Sequence, residues 1–341
     1  MHMADALLSP TVGGVMWAAS ATGIAYCSKK VKEHLDERAV PLMGVLGAFV
    51  FAAQMINFTI PGTGSSGHLG GGMLLAILLG PHAAFLVIAS VLVVQALFFA
   101  DGGLLALGCN IFNLGFFPAF IGYPLIYRKI VTGDVTRAKL VMGSTLAAVA
   151  SLQLGALGVV IETLASGITE LPFSTFVMFM QPIHLAIGLV EGIVTAAVVS
   201  FVWEANPDML GGLQGKAPAG VMPRKAILAA LLAVAVITGG VISWYASSHP
   251  DGLEWSIAKV SGKEELESPD GIHSQLASLQ DKIAFLPDYS FRNTAEAPES
   301  LQGDASSRLG TSVSGILGGS VVLCLAFLVG FILKKFAVKN G

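Results

Sequence analysis

Eight stretches of this chain, near residues 11–28, 41–57, 81–100, 103–127, 140–161, 173–203, 225–246 and 311–333, are apolar over about the 20 residues that a helix needs to cross a bilayer. A ninth, shorter apolar piece occupies 69–80. The bilayer core offers no water to peptide groups, so each such segment must satisfy its own hydrogen bonds, which for continuous apolar runs means helices. Composition agrees: charged residues make up 12% of the 341, against roughly 25% in soluble globular chains. A water-soluble enzyme is excluded on that ground. A net charge of −3 without a basic tract excludes binding of nucleic acid through its phosphates. Cys27, Cys109 and Cys324 stand far apart in apolar surroundings and read as membrane-buried thiols, not as a disulfide or zinc framework. The expected fold class is an all-α multi-pass membrane protein.

Gly80-Pro81 separates the short piece from the next span, since proline lacks the amide hydrogen that a continuing helix needs. Lys and Arg set the orientation, because they concentrate in cytoplasmic loops. Clusters fall at 28–40, 128–139, 204–225 and in the C-terminal tail, and the remaining five basic residues lie within 247–310. With nine crossings, these clusters share one side only if the N-terminus is outside and the C-terminus inside. The opening residues carry no Lys or Arg, so the first apolar run reads as a span and not as a signal peptide. Seven segments up to residue 203 form a first unit, 204–224 is a Gly- and Pro-rich cytoplasmic linker, and 225–341 is a two-span hairpin with an outward polar region at 247–310. Eleven of the 22 acidic residues lie in that outward region, where they suit a solvated face or a weak funnel for cations. Within it, Ile272, Leu276, Leu279 and Ile283 recur at helical spacing behind Asp270, which predicts a short amphipathic helix with Asp270 as its N-cap.

Chemistry concentrates at two outward places. The chain opens Met1-His2-Met3-Ala4-Asp5, and a free α-amine, the amide nitrogen of His2 and its imidazole Nδ1 are three nitrogens able to chelate one ion in fused rings. The large second residue argues for retention of Met1, and the amine must lose a proton on binding, so chelation weakens in acid. The loop NFTIPGTGSSGHLGGG (57–72) carries His68 among glycines, which permit a tight path back toward the terminus. A fourth nitrogen from His68 completes a plane suited to Ni(II) or Cu(II), and Co(II) is also accommodated. The alternative is a glycine-rich re-entrant turn that a histidine merely caps.

On the span 181–203, His184, Gly188, Glu191 and Thr195 share one stripe. Buried ionisable groups there serve either a structural network or a second metal station on the ion path. Asp101, Asn110 and Asn113, with Gln54 and Asn57, are candidates for packing or for orienting the ligands. The chain lacks G-x-x-x-x-G-K-[ST], so active uptake requires a partner ATPase. A rival reading takes Gly64-Ser65-Ser66-Gly67 as the nucleophile motif of a rhomboid-type intramembrane serine protease, with Ser66 attacking and His184 as base. It leaves His2 and the C-terminal hairpin unexplained.

MHMADALLSP, GTGSSGHLGGG, DGGLLALGCNIFNLG and HLAIGLVEGIVTA together resemble the substrate-capture subunits of energy-coupling factor transporters for cobalt and nickel, the CbiM or NikM family, over about residues 1–203. PDGLEWS (250–256) between two spans resembles the small accessory subunit, CbiN or NikN. The resemblance implies a natural fusion of the two, in a bacterial or archaeal cell membrane. It also implies a seven-helix capture unit holding Co2+ or Ni2+ through Met1, His2 and His68. A membrane coupling subunit and cytoplasmic ATPases are the implied partners. It implies a transport component with no cofactor and no enzymatic activity of its own. Asn57, Asn110, His184 and Glu191 are then supporting or translocation residues. Met3-Ala4-Asp5-Ala6 departs from the Ile-Met-Glu-Gly of many members, which leaves the choice between cobalt and nickel open.

Overall fold

In the computed structural model, which describes residues 2–34, 39–210, 222–264, 266–292 and 304–338, the apolar stretches are helices. The first unit runs α1 (Pro10–His34), α2 (Ala39–Gln54), a two-stranded antiparallel hairpin β1 (Phe58–Ile60) and β2 (Ser65–Gly67), the short α3 (Gly72–Leu79) and α4 (Pro81–Phe99). It continues with α5 (Leu107–Ile130), α6 (Arg137–Ser166) and α7 (Phe173–Ala205). The second unit has α8 (Arg224–Gly240), two helices of the polar region, α9 (Gly252–Ser261) and α10 (Ile272–Ile283), and the long α11 (Asp304–Val338). Among the described residues five helices, α4, α5, α6, α7 and the Arg308–Lys335 part of α11, are long and apolar enough to cross a membrane, and α2 is a shorter apolar helix. The protein is a mostly helical, multi-pass membrane protein. Met1, residues 211–221 of the expected linker and residues 293–303 of the expected outward region lie outside the described residues.

Local chemistry sets the starts of two of these helices. Pro81 occupies the first turn of α4, where its missing N–H costs nothing, and Thr136 caps α6 by accepting from the Lys139 amide. Within α5, Phe112–Tyr127 is wound more widely, as a π-helix, around Pro118 and Pro124, which cannot donate to a regular ladder. α4 is the most enclosed span and runs through the centre, while α6 and α7 pack along each other. The helices α8 and α11 of the second unit pack on α2, so the two units share one core.

The polar region differs from its predicted form at one helix. α10 lies where the periodicity places it, but Gly271 and not Asp270 stands at its cap, and Ile272, Leu279 and Ile283 are exposed. Its buried face is His273 and Gln280. The reason is hydrogen bonding: His273 Nε2 donates to the Leu8 carbonyl (2.8 Å), and Gln280 Nε2 donates to those of Ala96 (2.9 Å) and Gly102 (2.7 Å). Buried carbonyls at helix and loop ends must find donors, and that requirement outweighs the apolar stripe.

Candidate metal centre

The N-terminal segment, which turns into a 3-10 helix at Asp5–Leu7, is held by the loop that follows α4. Met3 is fully buried; its N–H donates to Asn110 Oδ1 (2.8 Å), and its carbonyl accepts from Asn110 Nδ2 (3.3 Å) and the Gly103 N–H (2.9 Å). Asp5 Oδ1 accepts from the Ala106 amide (3.0 Å). Asn110 therefore clamps the backbone one residue from His2.

His68 follows β2, and four hydrogen bonds fix it and the loop beyond it. Its Nδ1 donates to the Leu69 carbonyl (3.1 Å), which leaves Nε2 as the nitrogen turned away from the loop. Gln54, itself held by Gln95, donates to the Gly70 carbonyl (2.8 Å). Glu191 reaches across from α7 and accepts the Gly70 and Gly71 amides on its two oxygens (2.9 and 3.1 Å). Gly71 has φ +76, a left-handed conformation that turns the chain into α3 and that side chains disfavour. Buried donors at a helix start receive a carboxylate here, which also suits the positive end of the helix dipole.

These two constructions bring His2 and His68 together. Their rings stack with centroids 4.9 Å apart and planes 6° from parallel, on the wall of a cavity of about 510 Å³ that Asn57 also lines. Residues preceding α1 and following α2 and α4 form the wall, so the cavity lies at one end of the bundle. His2 Nδ1 lies 3.0 Å from Asp101 Oδ1, and the Tyr289 hydroxyl donates to Asp101 Oδ2. The Nε2 of His2 is buried without a hydrogen-bond partner among the described residues. Burial opposes ionisation of Asp101, but the charge and hydrogen bond of His2, with the Tyr289 hydroxyl, outweigh it and hold the carboxyl well below the usual carboxylate range. Burial drives His68 down to about 3, with His2 adding to the effect, so its imidazole is neutral and able to bind a metal at physiological pH.

The second unit reaches this cavity. The Ser66 amide donates to the Pro250 carbonyl (2.8 Å), Ser66 Oγ to the His249 carbonyl (2.7 Å), the Ser247 amide to the Asn57 carbonyl (2.7 Å) and Trp255 Nε1 to the Thr63 carbonyl (3.0 Å). Asp251 starts α9 through a capping box with Glu254, and its Oδ2 lies 3.8 Å from His68 Nε2. Burial raises its carboxyl, but nearby positive charge and the bond from the Glu254 amide prevail and hold it below the carboxylate range. Asp251 and Tyr289 were not among the candidate residues of the sequence reading. The D-x-x-E spacing of PDGLE is the signal that marks Asp251, since it is the pattern of a helix-starting box.

Of the other candidates, His184, Glu191 and Thr195 are buried on one stripe of α7 as the spacing requires. His184 donates from Nδ1 to the Met180 carbonyl (2.8 Å) and, with His68, lines a gap of about 10 Å³. Asn113 turns away from the cavity and donates to Glu162 (2.8 Å). Ser66 is fully buried, and among the described residues no hydrogen bond joins it to His184, so the protease pairing does not form. Among the described residues no three His, Cys, Asp or Glu side chains converge as a metal cage. Met1, the remaining predicted ligand, lies outside the described residues.

Fold and cavity together define a polytopic membrane protein that presents two histidines at one end of its helices, with a second helical unit stitched over them. A family model described as "Cobalt uptake substrate-specific transmembrane region" (CbiM) matches residues 2–209, and a "PDGLE domain" model matches 225–335. The chain belongs to the CbiM family, with a CbiN-like PDGLE domain fused behind the family region. It is 33% identical over 342 residues to a "Putative fused nickel transport protein NikMN" of Archaeoglobus fulgidus, covering 99% of each chain. It is 31% identical to a "Cobalt transport protein CbiM" of Sorangium cellulosum, over 63% of this chain and 96% of that one. A crystal structure described as a truncated transition metal transporter superposes with a TM-score of 0.52 at 34% identity, covering 59% of this chain and 98% of that chain.

Proposed function

We propose that this chain is the metal-capture component of an ATP-driven importer of Co2+ or Ni2+, serving cobalamin or nickel-enzyme synthesis from a bacterial or archaeal cell membrane. The meeting of His2 and His68 on one cavity wall carries this reading, since residues 66 positions apart in sequence are brought into ring contact there. Capture uses the amine of Met1, the amide nitrogen and imidazole of His2, and His68, a nitrogen set that suits late first-row ions and offers little to Mg2+ or Ca2+. Chelation through His2 Nδ1 exchanges its Asp101 contact for the metal, so loading includes a change of partner at that ring. Asn110 and Glu191 hold the two ligand-bearing segments, and Asn57 lines the approach.

In this reading residues 1–203 form the capture domain, 204–224 the cytoplasmic linker and 225–341 the accessory domain. The N-terminus and cavity face outward, the C-terminus faces the cytoplasm, and nine segments cross. A membrane coupling subunit and cytoplasmic ATPases supply the energy, and the chain itself is not an enzyme. The test moves the amine without touching any side chain. A protein with one residue added before Met1, a C-terminally tagged protein and the native chain are compared for bound Ni2+ at matched membrane expression. The extended protein loses its metal and the C-terminally tagged one keeps it; equal loading of all three removes the amine from the ligand set.

A further inference from the structure

The structure assigns Asp251, a residue of the accessory domain, a direct part in metal capture: it is the counter-charge of the ion held at His2 and His68. The inference rests on the capture reading above. A dication bound through one deprotonated amide nitrogen and otherwise neutral nitrogens keeps a net positive charge, and a buried charge without a counter-ion is strongly disfavoured. Asp101 stands at the His2 ring, where the Tyr289 hydroxyl also bonds it, and Asp5 accepts the Ala106 amide. Asp251 stands at the other ring, with Oδ2 3.8 Å from His68 Nε2 and on the same cavity wall.

Its pose is built, not incidental. Oδ1 accepts the Leu253 and Glu254 amides (2.8 and 2.9 Å), and Glu254 accepts the Asp251 amide in return (2.9 Å). Gly252 lies so close to Ile187 and His184 that a Cβ there would stand 2.9 Å from Ile187 Cδ1, which keeps the carboxylate seated on the first unit. His2 Nε2, buried and without a partner among the described residues, lines the same cavity and marks it as a place for a ligand. The accessory domain thereby completes a site whose nitrogens all belong to the first unit.

The experiment titrates Ni2+ alone into the full chain with its native N-terminus, in lipid nanodiscs. Asp251→Asn keeps a capping oxygen and removes the charge; Asp251→Ser, also a competent cap, repeats the test should the first variant fail to fold. Partners of metal ligands are worth about 10–100-fold in affinity, and a loss of that size is expected for both variants, with the thermal midpoint of the metal-free protein unchanged. Glu267→Gln, which alters an exposed carboxylate of the same domain away from the cavity, should change affinity less than about threefold. The loss should persist in 0.5 M salt, since a counter-charge at contact distance is poorly screened. Wild-type affinity in Asp251→Asn, or a loss that disappears in salt, overturns the inference. His68→Ala in the same assay separates the two readings: if it binds Ni2+ normally the capture site itself is wrong, and if it alone fails to bind, only the role of Asp251 falls.

Discussion

Replacing Glu191 tests how the His68 loop is held. Its two oxygens accept the Gly70 and Gly71 amides, and the group is buried in α7 where water does not substitute freely. A hydrogen bond to a charged group contributes about 1.5–3 kcal/mol, and an abandoned buried donor costs about 1–3 kcal/mol. Glu191→Gln keeps one acceptor oxygen and turns an NH2 toward the other amide, so it forfeits one bond. Glu191→Ala forfeits both, for roughly 3–6 kcal/mol before any relaxation of the loop. Local opening governs amide exchange, and each 1.4 kcal/mol is tenfold, so the affected amides should exchange about 10–150 times faster in Glu191→Gln and about 10^2 to 10^4 times faster in Glu191→Ala. Hydrogen exchange followed by mass spectrometry, on a peptide spanning residues 66–73, reads this directly. The expected order is wild type slowest, Gln intermediate and Ala fastest, with Ni2+ affinity falling in the same order because His68 stands two residues from the first anchored amide. Unchanged exchange in Glu191→Ala would refute the reasoning, whatever happened to transport.

His2→Ala and His68→Ala should each abolish tight Ni2+ binding and cellular uptake, whereas Ser66→Ala, which loses only bonds to the 249–250 backbone, should retain most uptake; measured metal content decides. Stability should fall in acid through His68. Its folded value of about 3 lies below the unfolded one of roughly 6.5, so between these the unfolded chain binds more protons and stability declines as pH drops. His68→Gln should therefore lose less thermal stability than wild type from pH 7 to pH 4, and parallel curves for the metal-free proteins contradict this. Cysteine labelling in cells should place residues 204–224 inside and 257–300 outside; labelling of both from one face dismisses the nine-crossing arrangement.

Much of the architecture was legible in the chain because lipid solvation writes helices as apolar blocks. Pro81 and the Gly80 before it marked the break between the short helix and its successor, and the offsets from His184 to Thr195 identified one buried stripe. PDGLEWS marked the accessory domain from seven residues. His2 and His68 were also selected by sequence, each from local chemistry: a chelating terminus, and a lone histidine in a glycine-rich loop. Periodicity failed at α10, where apolar spacing favoured one face and carbonyls at distant helix and loop ends, on Leu8, Ala96 and Gly102, took the other.

What the sequence determined by itself, then, was everything that depends on neighbours along the chain: helix length, breaks, charge bias and the residue types able to bind a late transition metal. The tertiary structure alone decided which groups meet across the chain. It put Asp101 on His2, Glu191 on the amides beyond His68, and Asp251 and Tyr289 of the accessory domain over the same cavity. Those pairings arise from buried polar groups seeking partners wherever the packed helices offer them. That search runs over separations of about a hundred residues and more, which no local pattern records.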